Sequence, residues 1–72
     1  MELEEFLIKI GKKIQKIRKE KGLTQENLDE GAFPIPVRTL QDIEAGKANV
    51  TVGSLLKISK HLKVKPKDLL DV

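Results

Sequence analysis

Along the first third of the chain, Leu3, Phe6, Leu7, Ile10, Ile14 and Ile17 recur at steps of three and four, the period of a helix with one buried face. The spacing predicts an amphipathic helix over residues 2–21. Gly22 is placed to end it, because glycine takes the left-handed conformation beyond a helix at least cost. Gly11 stands inside the same helix, where glycine costs up to about 1 kcal/mol relative to alanine. Its presence points to a neighbour that approaches the backbone closely.

One device marks the later helix starts. Thr24 lies between Leu23 and Leu28, and Thr51 lies between Val50 and Leu55, each pattern a capping hydroxyl with a hydrophobic staple. Lys65 is a poor cap, but Val64 and Leu69 keep the staple spacing and Pro66 takes the favoured first helical position. Helices are expected near 25–30, 52–62 and 66–71, with Leu55, Ile58 and Leu62 facing the core. A further helix is expected between Pro36 and Ala45, with Leu40 and Ile43 inward and Gly46 closing it. Pro34 and Pro36 keep Phe33 and Ile35 out of helical geometry, so residues 31–35 form a bend. Strand alternation is absent. The expected fold is all-α: one domain over residues 1–72, a compact bundle of about five helices with a helix-turn-helix near 24–46.

Composition narrows the function. A chain of 72 residues supports a single core. It contains no Cys, which removes disulfides, thiolate metal sites and a Cys nucleophile. No apolar run approaches the ~20 residues of a membrane span, and acidic Glu2, Glu4 and Glu5 follow Met1 where a signal would be basic. A cytoplasmic protein without membrane association is expected. Phe6 and Phe33 are the only aromatics, too few for a single-strand stacking platform. His61 has no second His to pair with, Ser54 and Ser59 have no adjacent base, and no Gly-rich phosphate loop occurs. No catalysis, metal, cofactor or small-molecule ligand is therefore expected, and His61 reads as a surface residue.

The net charge is +3, but its distribution is uneven. Lys9, Lys12, Lys13, Lys16, Arg18, Lys19 and Lys21 face only Glu20 within residues 9–22, and residues 45–72 are again lysine-rich. Between them the chain is acidic, with Arg38 the sole cation of residues 23–44. A basic domain of this size suits a polyanion partner, although lysines also solvate ordinary helix faces.

Several segments together resemble the lambda-repressor-like helix-turn-helix family of phage repressors, Cro and Xre-type regulators. They are Ile14-Gln15-Lys16-Ile17-Arg18, Lys21-Gly22-Leu23-Thr24-Gln25-Glu26-Asn27-Leu28 and Thr39-Leu40-Gln41-Asp42-Ile43-Glu44-Ala45-Gly46-Lys47, followed by Leu55-Leu56-Lys57-Ile58. The resemblance runs from Ile10 to Leu70. It departs in two places: one surplus residue falls in the prolyl bend, and Asp29 stands where a small residue is usual.

The resemblance implies that the helix after the bend enters the major groove of double-stranded DNA. Val37, Arg38, Gln41 and Asp42 would then read bases. Arg suits guanine O6 and N7, Gln suits adenine N6 and N7, Val suits a thymine methyl, and Asp can accept from cytosine N4. Thr24 and Gln25 would meet phosphate at a helix N-terminus, as would Lys47 and Asn49 in the loop after Gly46; Gln25 could also support a base-reading side chain. Arg18 and Glu44 would form an ion pair tying the first helix to the reading helix. The implied function is a transcriptional regulator, a repressor acting as a homodimer, with an antitoxin or helical interaction module as the alternative. Leu69, Leu70 and Val72 are the candidate dimer contacts, and Phe6 with Leu7 the other choice.

Overall fold

In the computed structural model, which describes residues 1–72, the N-terminal apolar stripe becomes one helix, α1 (Leu3–Glu20). Ile10 and Ile14 are buried, and Phe6 and Ile17 pack partly against the same core. Leu3 stands outside it, 61% exposed. Gly22 takes φ 71 just beyond the helix. The Leu23 and Gly22 N–H groups donate back to Arg18 and Lys19 carbonyls at 3.1 and 3.0 Å, the paired bonds of a glycine-terminated helix.

The second expected helix, near 25–30, is present at that place but tighter than an α-helix. It is one 3-10 turn, Glu26–Asp29. Its start is doubly capped: Thr24 Oγ1 accepts from the Asn27 N–H at 3.1 Å, and Asn27 Oδ1 accepts from the Thr24 N–H at 2.8 Å. Its end is forced by Gly31 at φ 81 and by the two prolines beyond. Asp29, the unusual residue, is exposed, so its carboxylate stays in water.

The bend that follows is pinned from two sides. Ile35 is buried and its N–H donates to the Leu28 carbonyl at 2.8 Å. His61 Nε2 lies 2.7 Å from the Phe33 carbonyl oxygen, and the Lys60 ammonium sits 4.1 Å above the Phe33 ring. His61 is thus half-buried and engaged, where the sequence suggested an ordinary surface residue.

Helix α2 runs Val37–Glu44. Pro36 is its N-cap at ψ 139 and Ala45 its C-cap, so the helix lies between the two residues expected to bound it. Arg38 still lies in the first turn. Helix α3 (Val52–Leu62) begins at the expected cap, with Thr51 Oγ1 accepting from the Ser54 N–H at 3.0 Å. Helix α4 is Pro66–Leu70. Lys65 lacks a capping acceptor, and Asp68 supplies one, its Oδ2 taking the Lys65 N–H at 3.0 Å.

The core is Ile10, Ile14, Leu28, Ile35, Leu40, Ile43, Ile58, Leu62 and Leu69. The bundle thus consists of four α-helices and a 3-10 turn, with α1 packed against α2, α3 and α4. Leu69 corrects the candidate dimer set: it is fully buried and completes this core, so it is closed to a partner. Leu70 and Val72, at 42% and 43% exposure, remain open. No helix is long and apolar enough to cross a membrane.

Candidate nucleic-acid interface

Helix α2 has two faces with separate tasks. Leu40 and Ile43 anchor it in the core, while Arg38 and Gln41 are exposed and Val37 and Asp42 half-exposed. The four residues expected to read bases therefore share the outer side. Arg38 Nε lies 3.5 Å from Asp42 Oδ1, one turn along the helix, with 85% of the arginine side chain exposed. The carboxylate sits beside the guanidinium without covering it.

The C-terminal end of α2 is clamped to α1. Arg18 Nε and Nη2 donate to Glu44 Oε2 and Oε1 at 2.7 and 2.9 Å, and Arg18 Nη1 donates to the Leu23 carbonyl at 2.8 Å. Both side chains are buried, at 7% and 3% exposure. The hydrogen bond to Glu44 raises the Arg18 guanidinium above its ordinary value, against the opposing pull of burial. The two helices touch beside this pair: an added Cβ on Gly11 would meet the Ile43 carbonyl oxygen and, at 2.8 Å, that of Glu44. The close approach expected at Gly11 is thus made by the end of α2.

Polar contacts continue outward from the clamp. Glu44 Oε1 also accepts from Gln25 Nε2 at 3.1 Å, and Gln25 Oε1 accepts from Gln41 Nε2 at 3.4 Å. Gln25 is therefore joined to a base-reading candidate, and one amide hydrogen is left for a phosphate. Thr24 uses its oxygen as a cap, yet a hydroxyl that accepts can still donate.

Lys47 projects from the loop after Gly46, where its backbone N–H donates to the Asp42 carbonyl at 2.9 Å. Asn49 is exposed and borders an apolar groove that includes Phe6, Leu7, Val52, Leu55 and Leu70. The two alternative dimer surfaces thus meet in one groove of about 400 Å³. Val72 lies elsewhere, beside Lys9, Lys12, Lys13 and Lys16. Those lysines occupy the side of α1 away from Gly11 and Arg18.

A helix-turn-helix family model matches residues 14–69, which takes in the clamp, the bend and α2. The chain belongs to the helix-turn-helix family. Control protein C.BamHI of Bacillus amyloliquefaciens is 47% identical over 64 residues, covering 85% of this chain and 75% of that protein. The restriction-modification controller protein C.AhdI from Aeromonas hydrophila superposes with a TM-score of 0.81 at 30% identity, over 88% of this chain and 94% of the other. This helix-turn-helix protein is accordingly a DNA-binding transcriptional regulator of the Xre-type, lambda-repressor-like group. The Arg18–Glu44 contact was legible only through the family pattern. The Thr24 cap was expected from its staple, but the Asn27 side chain that answers it and the His61–Phe33 contact were not.

Proposed function

We propose that the protein is a controller-type regulator that represses transcription by occupying double-stranded DNA as a homodimer, within a restriction–modification system. The polar outer face of α2, held on α1 by the buried Arg18–Glu44 pair, carries the DNA-reading part. The controller relatives support the setting. Dimerisation is supported by the apolar groove between α1, α3 and α4, since two half-sites give a small module useful specificity. Leu70 with Phe6 and Leu7 would meet the second copy.

Titration with a selected duplex across a salt series tests the reading. Log affinity should fall linearly with log salt by about 0.9 per phosphate neutralised, and Lys47→Ala should lower that slope by about one while weakening all sites alike. A salt-independent affinity would sink the proposal, and protection of a single half-site by one chain would remove the dimer.

Arg38→Ala should behave differently. A guanidinium steadied by Asp42 in the first turn suits a guanine edge. Its loss should therefore cost about 1–3 kcal/mol at the preferred site and relax one base position. An unchanged base preference, with affinity lowered evenly, would reassign Arg38 to phosphate.

A further inference from the structure

Residues 30–36 carry little structure of their own. Pro34 and Pro36 have no N–H, and of the others only Ile35 donates to a backbone group, the Leu28 carbonyl. Helix α2 begins directly after this stretch, and its two ends are held unequally. The buried Arg18–Glu44 pair fastens the far end to α1. At the near end Pro36 provides no side-chain cap, and Val37 and Arg38 precede Leu40, the first fully buried residue of the helix.

Helix α3 supplies what is missing. The Phe33 carbonyl has no backbone partner, and His61 Nε2 lies 2.7 Å from its oxygen. A carbonyl only accepts, so the imidazole carries its hydrogen on Nε2 and donates it there. The ammonium of the adjacent Lys60 sits 4.1 Å above the Phe33 ring, a cation–π contact. Consecutive residues of one eleven-residue helix thus hold both the backbone and the ring of a residue in the bend just before α2.

We propose that His61, assisted by Lys60, is a positioning residue that fixes the start of α2 and so determines which base Arg38 meets. This rests on the DNA-reading proposal above. The Arg38 side chain is 85% exposed and has only Asp42, on the same helix, for a partner. Its place in a groove therefore follows from where the helix start is held. Gln41 is placed otherwise: it follows buried Leu40 directly and donates to Gln25 Oε1 at 3.4 Å. Release of the bend disturbs the base met by Arg38 and spares the base met by Gln41. Bidentate recognition of a guanine edge tolerates little displacement of the guanidinium.

His61→Ala removes the donor and puts a good helix former into α3, whereas His61→Gln restores an N–H at nearly the same reach. The full-length wild type, these two variants and Arg38→Ala are each selected against a random duplex library, and folding of each is checked by its thermal melt. Arg38→Ala identifies the base position concerned. His61→Ala should lower discrimination at that position about fivefold, with preferences at other positions and affinity for unselected duplex kept. His61→Gln should recover most of the lost discrimination. Wild-type discrimination in His61→Ala, an equal loss at every position, or no recovery in His61→Gln overturns the inference. So does an Arg38→Ala profile in which no position changes; in each case the DNA-reading proposal stands. Should His61→Ala fail to fold, Lys60→Met takes its place and should lower the same position about twofold, a wild-type profile again overturning the inference. A folded wild type that enriches no sequence overturns both.

Discussion

Arg18→Met is expected to cost about 3–5 kcal/mol of folding stability, because it leaves Glu44 as a buried charge without its counter-ion. Small domains have roughly 5–15 kcal/mol in total, so the variant should be substantially destabilised or unfolded at room temperature. The pair itself is worth much less than either loss suggests. Removing both charges, as in Arg18→Met with Glu44→Leu, should return most of the stability, since apolar replacements avoid burying ions at all. Urea unfolding of the four proteins in the double-mutant cycle measures the coupling directly. If the single variant melts like the wild type, the clamp is not what holds α2 to α1. Its pH behaviour has a definite sign. A guanidinium raised by its partner contributes stability fully below its unfolded value, and that contribution is lost only as pH rises into strong alkali. Through neutral pH the Arg18 contribution should be flat.

Gly11→Val should destabilise the fold by about 3 kcal/mol or more, the upper end of ordinary overpacking. Even a Cβ at this position would overlap the Ile43 and Glu44 carbonyls, which belong to backbone and cannot swing aside. Helix propensity argues the other way, by up to about 1 kcal/mol, and Gly53 separates the two effects. Gly53 also lies in a helix, but its nearest neighbour to an added Cβ is Thr51 Oγ1 at 3.9 Å. Gly53→Ala should therefore stabilise slightly where Gly11→Ala and Gly11→Val destabilise. Denaturation midpoints at constant m-value provide the comparison. A gain in stability at Gly11 would mean that α2 does not rest on the α1 backbone.

The contrast between Gly11 and Leu69 explains how much the chain reveals of itself. A glycine inside a long, strongly periodic helix has few explanations, and close packing was the natural one. Leu69 and Leu70 are adjacent on a helix of five residues, too short for a period to say which faces inward, so only the Val64–Leu69 staple spacing told them apart. The 3-10 turn Glu26–Asp29 escaped for a related reason. A capping Thr and a Leu staple suit either one tight turn or a longer helix, and the choice is made by Gly31 and the prolines downstream. At the interface, the outer face of α2 followed from burying Leu40 and Ile43. The amide chain through Gln25 spans 16 residues and exists only once α2 has been set against the Thr24 turn.

Helix α2, proposed above to read the bases, is eight residues long, about 12 Å at 1.5 Å per residue, and base pairs are stacked about 3.4 Å apart. One copy can thus scan a word of about four base pairs, which recurs by chance about once in 256. In the proposed dimer two such words make an address of about eight pairs, met by chance about once in 65,000, so roughly fifteen matches occur in 10⁶ competing sites. Geometry alone then cannot single out one locus. The number of molecules present becomes part of the address: few enough to be absorbed by the best site, too few to fill its accidental copies.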